Sequence, residues 1–115
     1  MKVRFSDQYG NVVIYKLFDT ELGHAFERLL PMTVELQKTG SNERSFLAPK
    51  RLNTFGANLA PGGEEVLCYH VPWQQIVLYY DGYSQYEDMY EIGMPIFTEG
   101  SIRNMRGPVL IEEIY

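Results

Sequence analysis

The chain has 115 residues and a mass of 13.3 kDa, a length that suits one domain, residues 1–115, with its own hydrophobic core. Hydrophobic residues make up 45% and charged residues 22%, which excludes disorder as the main description. Fifteen acidic and ten basic residues give a net charge of −5, which argues against nucleic acid and anionic membrane surfaces as partners.

The cysteine content and the N-terminus predict a reducing, soluble setting. Cys68 is the single cysteine, so no disulfide can form within the chain. Residues 1–5 lack the apolar run of a signal peptide, and apolar runs such as residues 76–80 are too short to span a bilayer. We therefore expect a cytoplasmic protein.

The first third of the chain predicts a β-hairpin followed by a helix. Val3 and Phe5 alternate with polar residues, and a turn-rich segment separates them from a second β-prone run at 12–17. The period then changes to that of an amphipathic helix that Asp19 or Thr20 can cap and that Pro31 ends. Its apolar face comprises Leu22, Ala25, Phe26, Leu29 and Leu30.

The remaining segments predict mostly short strands. Apolar and polar residues alternate over 32–36, which predicts a strand. We also predict a short strand at 46–47 and one helical turn at 49–53. Two β-prone runs, 65–71 and 75–80, are predicted strands joined through Pro72-Trp73-Gln74. A surface loop is predicted over 83–90. Gly93 and Pro95 predict that any strand over 91–97 is short or at an edge. A helical turn at 102–105 and a strand at 109–114 complete the prediction.

Many short strands, one main amphipathic helix and no alternation of strand and helix predict a mainly β fold. The expected architecture is a closed or nearly closed antiparallel β-barrel. Such a barrel brings residues from separate segments to one wall.

A series of local motifs resembles the small cyclophilin-like fold proteins of bacteria and archaea. The motifs are Leu29-Leu30-Pro31-Met32-Thr33-Val34-Glu35-Leu36, Arg51-Leu52, Tyr69-His70-Val71-Pro72-Trp73, Leu78-Tyr79-Tyr80-Asp81 and Ile92-Gly93-Met94-Pro95-Ile96. The resemblance implies a barrel of about eight strands with the helix over one opening. It does not imply prolyl isomerase activity, because the Phe-His-Arg and Gln-x-Gly-Asp motifs of true cyclophilins are absent from this sequence.

Aromatic residues are the strongest candidates for a binding site. Seven of them fall within twenty-two residues, and a rim of such rings suits an apolar or peptide-like ligand. They are Tyr69, Trp73, Tyr79, Tyr80, Tyr83, Tyr86 and Tyr90. Arg44 and Arg51 flank Phe46 where a cyclophilin-like cleft would lie and suit a carboxylate or carbonyl group. The predicted ligand-binding residues are Arg44, Phe46, Arg51, Tyr69, Trp73 and Tyr79.

Cys68 and His70 share one face of a predicted strand, but the chain holds few other metal ligands. We predict no metal and no cofactor, with Cys68 as a core residue and with His24 and His70 at the surface or packed. Glu64-Glu65 and Glu112-Glu113 are adjacent along strands, so they point to opposite faces and form no catalytic pair.

Three functions remain open. The first is a module that binds a peptide or small molecule in an aromatic cleft. The second is a prolyl isomerase, which needs a cation such as Arg44 or Arg51 over an apolar groove. The third is an accessory subunit that uses exposed aromatics of the 83–90 loop as a protein interface.

Overall fold

A computed structural model describes residues 1–38, 40–63, 65–85 and 87–115. The elements are β1 (Lys2–Ser6), β2 (Val12–Leu17), α1 (Glu21–Glu27), β3 (Met32–Glu35), β4 (Glu43–Leu47), β5 (Val66–His70), β6 (Gln75–Tyr79), β7 (Met89–Glu99), a 3-10 turn (Ile102–Asn104) and β8 (Pro108–Ile114). The strands predicted at both ends of the chain and on either side of Pro72 are present. The 3-10 turn lies where a helical turn is predicted.

The eight strands form one antiparallel sheet that curls into a nearly closed barrel. Their order is β3-β8-β1-β2-β7-β5-β6-β4. The two outer strands meet just beyond β3, where the Gln37 N–H donates to the Ser45 carbonyl at 2.7 Å and the Ser45 N–H donates back at 2.9 Å. The prediction of a mainly β, nearly closed antiparallel barrel with one main helix is thus confirmed.

Side chains point alternately into and out of the barrel along each strand, and the inward ones form the core. In β1, Val3 and Phe5 are buried inside, while Arg4 points outward and forms an ion pair with Glu112 of β8. The same period on the other strands fills the interior with aliphatic and aromatic side chains. The largest fully buried ones include Phe5, Tyr15, Phe26, Leu67, Tyr69, Ile76 and Leu78.

Helix α1 packs its apolar face on this core. The Thr20 hydroxyl accepts the Gly23 N–H at 3.0 Å, as the capping prediction requires, and the Phe26 ring stacks on Phe5. The helix ends at Glu27, before the end of the predicted apolar face, although Leu29 and Leu30 still pack against the core. Within the described ranges, no helix has the length and apolar character needed to cross a membrane.

The prediction of a helical turn over residues 49–53 is wrong. This segment has no helical residues, and the Leu52 N–H donates to the Tyr69 hydroxyl at 3.2 Å. A tertiary hydrogen bond therefore takes the donor that a helical turn would use.

The prediction of a short or edge strand at 91–97 also needs correction. β7 runs from Met89 to Glu99 and pairs with β2 and, as far as Gly93, with β5. A Cβ on Gly93 would lie 2.6 Å from the Lys16 carbonyl oxygen, so glycine permits the close crossing of β2 and β7. Pro95 is accommodated beside the register shift between Ile14 and Tyr15.

Candidate functional site

The wall formed by β4, β6 and β5 has two different faces. Phe46, Tyr69 and Ile76 point into the barrel core. The alternate residues point outward, and the register aligns them in three rows across the wall. The rows are Glu43–Tyr79–Val66, Ser45–Val77–Cys68 and Leu47–Gln75–His70.

A cleft with a volume of about 370 Å³ lies on the outer face of this wall. Val77, Tyr79 and Met89 are buried and give it an apolar floor. Its lining comprises Asn42, Glu43, His70, Trp73, Gln75, Val77, Tyr79, Tyr83, Ser84 and Met89. We call this the outer cleft. It has the concave, partly aromatic character of small-molecule sites.

Trp73 reaches the outer cleft because of a tight turn between β5 and β6. The Gln74 N–H donates to the Val71 carbonyl at 3.2 Å, and Pro72 supplies the φ angle that the turn needs. The Gln74 side chain also donates to the Ala48 carbonyl at 2.7 Å. Trp73 at the turn is 66% exposed, and its ring packs edge-on against His70 with centroids 5.5 Å apart. The turn thus holds a large aromatic ring at the rim.

Tyr83 is held over the outer cleft by a backbone bridge. The Gly63 N–H donates to the Tyr83 carbonyl at 2.8 Å, and the Tyr83 N–H donates back at 3.1 Å. Gly63 has a φ of 103°, a conformation that glycine adopts without steric cost. The bridge places the Tyr83 ring in parallel contact with Tyr79.

Glu43 supplies a carboxylate at the edge of the cleft and lies directly opposite Tyr79 in the register of β4 and β6. Burial, with the nearby Glu43 charge, raises the pKa of the Tyr79 phenol well above its usual value. Burial also raises the pKa of Tyr83. Both phenols therefore remain protonated at neutral pH and act as neutral hydrogen-bonding groups.

Cys68 and His70 share the outer face, as their spacing predicts, but only His70 lines the cleft. Cys68 is fully buried beneath it, and burial raises the pKa of its thiol far above the usual value. Such a thiol is a poor nucleophile. Among the residues that the structure describes, no three histidine, cysteine, aspartate or glutamate side chains converge as metal ligands.

The structure separates the predicted aromatic site residues into two groups. Trp73 and Tyr79 line the outer cleft. Phe46 and Tyr69 are buried inside the barrel, where Phe46 contacts Phe5 and the Tyr69 hydroxyl receives the Leu52 N–H. These four rings therefore do not surround one space. That these four aromatic residues bind a ligand is still a prediction.

The two predicted arginines lie away from the lining of the outer cleft. Arg44 is 8% exposed and donates to the carbonyls of Glu43 and Arg103 and to the Tyr80 hydroxyl, at 3.0, 2.6 and 2.9 Å. Its guanidinium also lies over the Tyr80 ring. Arg51 is exposed and donates to the Val71 carbonyl at 3.2 Å. Both cations are engaged with the protein's own backbone.

Several cleft residues were not among the six predicted ones. Glu43, His70, Gln75 and Met89 come to the cleft through the pairing of β4 with β6 and of β5 with β6 and β7. The turn at 71–74 sets residue 70 opposite 75, whereas Glu43 and Met89 are placed by long-range strand pairing that no local pattern shows. Tyr86 and Glu64, which the sequence singled out, lie outside the described residues.

Comparison with known proteins agrees with this architecture. No curated protein and no solved structure shows significant similarity to the chain. The family model described as the Cyclophilin-like family matches residues 7–112, which takes in every motif of the resemblance and all the described cleft residues. On this match over nearly its whole length, the chain belongs to the Cyclophilin-like family.

Proposed function

We propose that this protein binds a small molecule or short peptide in the outer cleft. The observation that carries the proposal is the arrangement of an exposed Trp73 ring and the stacked Tyr79–Tyr83 pair around an apolar floor in a space of about 370 Å³. Rigid aromatic rings give large contact areas with little loss of side-chain entropy on binding. Polar groups at the rim, including Asn42 and Ser84, would orient the ligand.

The filled barrel interior supports the choice of the outer face. Phe5, Tyr15, Phe26, Phe46 and Tyr69 are all buried in the main core, and their side chains pack the lumen. A ligand there would have to displace well-packed rings at a cost of several kcal/mol, on the order of 3–5 for one phenylalanine. The outer cleft offers contact without that cost.

The experiment uses Trp73, the single tryptophan of the chain, as a built-in reporter. Its fluorescence is recorded while a panel of small aromatic, aliphatic and charged compounds and short peptides is titrated. Amide and indole NMR shifts then locate each binder. We expect saturable binders that shift Trp73, Tyr79 and Tyr83 together.

Tyr83→Ala provides the loss-of-binding variant, and Phe55→Ala is its matched control. Phe55 is an aromatic residue with 86% exposure that does not line the outer cleft. We expect the first variant to weaken binding and the second to leave it unchanged. The proposal would be overturned if no compound of the panel binds, or if every compound that binds shifts residues outside the outer cleft.

The isomerase alternative receives less support. It needs a cation above the groove, whereas neither Arg44 nor Arg51 lines the outer cleft and both donate to backbone carbonyls. We therefore propose binding without prolyl isomerisation.

A further inference from the structure

The electrostatic character of the outer cleft indicates which ligands it favours. Glu43 carries the one formal negative charge among the described lining residues, and no described lysine or arginine lines the cleft. The protein as a whole carries a net charge of −5. A cationic ligand would therefore gain from both the local carboxylate and the overall field.

The aromatic lining adds to this preference. Trp73, Tyr79 and Tyr83 are indole and phenol rings, whose negative faces attract organic cations. A phenol is neutral near pH 7 at its ordinary pKa of about 10, and burial raises the pKa of Tyr79 and Tyr83 further, so both rings keep this character. Cages of aromatic rings recur around bound quaternary ammonium groups.

The state of Glu43 is compatible with such a ligand. Glu43 lies opposite Tyr79 in the register of β4 and β6, which places its carboxylate beside the aromatic pair. A carboxylate has about four lone-pair sites, so it can accept hydrogen bonds from several donors at once, an ammonium group among them. The strand register thus places the charge within the site.

We infer that the outer cleft takes a small organic ammonium ion, with Trp73, Tyr79 and Tyr83 around the cation and Glu43 as its counter-charge. The inference rests on the proposed function and makes it more specific. The cleft volume of about 370 Å³ lies near the lower end of the range for small-molecule sites, which favours a free amine of choline size over a protein segment.

The test compares choline with 3,3-dimethylbutan-1-ol, in which a neutral carbon replaces the charged nitrogen with little change of shape. Binding to the intact chain is followed by Trp73 fluorescence and by NMR shifts of the cleft residues. We expect choline to bind about tenfold tighter than the neutral alcohol. Added salt should weaken choline binding and leave the alcohol unaffected.

Glu43→Gln removes the charge and keeps the size of the side chain and one acceptor oxygen. We expect it to reduce choline affinity about fivefold or more, with no change for the alcohol. Glu99→Gln is the control, because it makes the same change in net charge at an exposed residue outside the cleft lining. Equal effects of the two variants would overturn the role of Glu43.

The outcomes separate this inference from the proposed function. Equal affinities of choline and the alcohol, or binding of neutral panel compounds alone, would overturn the cation preference while the cleft remains a binding site. If no compound of either kind shifts the cleft residues, both proposals fail. A lysine-containing tripeptide that binds more tightly than every free amine would overturn the small-molecule assignment.

Discussion

The ring of Tyr83 lies parallel to the ring of Tyr79, with centroids 4.2 Å apart and planes inclined by 8°. Tyr79 ends strand β6, whereas Tyr83 belongs to the following loop, which the bridge to Gly63 holds in place. The stack therefore joins a loop to the sheet and forms part of the cleft lining at the same time. The stack and the bridge to Gly63 together set the position of this loop over the cleft.

Tyr83→Ala should remove the stack and destabilise the fold by about 1 kcal/mol or more. Tyr83→Phe keeps the ring and should retain most of that stability and most of the ligand affinity. Urea unfolding followed by Trp73 fluorescence measures the first effect, and ligand titration measures the second. An alanine variant as stable as the original protein would contradict the role given to the stack.

Phe26→Ala should lower the free energy of unfolding by about 3–5 kcal/mol, because the ring is fully buried and stacks on Phe5 at 6.4 Å. Phe55→Ala is the control and should change stability by no more than about 0.5 kcal/mol, since Phe55 is exposed. Both are measured by urea denaturation. An unchanged midpoint for Phe26→Ala would refute the packing of the helix on the barrel.

The Cys68 thiol should resist a thiol reagent such as DTNB in the folded protein and react only on unfolding, because burial raises its pKa and blocks access. Cys68→Ser should cost about 1–3 kcal/mol by burying a hydroxyl and leave cleft binding unchanged. Labelling kinetics across a urea series measure the protection. Zinc bound in a one-to-one ratio and lost in Cys68→Ser would overturn this structural role.

Asp7 should contribute to loss of stability in acid. Partial burial alone would raise its pKa, but hydrogen bonds from the Asn11 side chain and from the N–H groups of Tyr9, Asn11 and Arg106 outweigh this and lower it below 3.8. A carboxyl whose pKa is lower in the folded state stabilises the fold above its unfolded-state pKa. That contribution disappears as the pH falls through its folded-state pKa.

Asp7→Asn should therefore lower stability at neutral pH and flatten the fall in the urea midpoint as the pH drops below about 4. The measurement is a series of urea unfolding curves at stepped pH for both proteins. An equally steep acid fall in the variant would show that other carboxyl groups are responsible.

We expect weak or no isomerisation of standard proline peptides. Arg44 is buried, and its guanidinium donates three hydrogen bonds within the protein, so Arg44→Ala should instead lower stability by about 1.5–3 kcal/mol. A protease-coupled peptide assay measures the rate. A robust rate that collapses in Arg44→Ala or Arg51→Ala would overturn the proposal of binding without isomerisation and support an enzyme.

Much of the fold can be predicted from the spacing of apolar residues that are close together in the sequence. The alternation of Val3 and Phe5 predicts β1, and the spacing of Leu22, Ala25 and Phe26 with Thr20 before them predicts α1 and its cap. These features depend on residues within one or two turns of each other, so the sequence suffices. The order of motifs along the chain also predicts the barrel and the family that the match to residues 7–112 establishes.

The site depends on contacts that local pattern cannot show. All five residues of β5 are buried, so no polar alternation tells which side of the wall Tyr69 faces. The four-residue turn at 71–74 sets Tyr69 opposite Ile76 on the inner face and Tyr79 opposite Val66 on the outer face. Glu43 reaches Tyr79 only because β4 pairs with β6. The sequence by itself thus determined most of the strands, the helix and their family, whereas the length of β7, barrel closure and strand register, and with them which aromatic rings fill the core and which line the cleft, were decided by tertiary contacts.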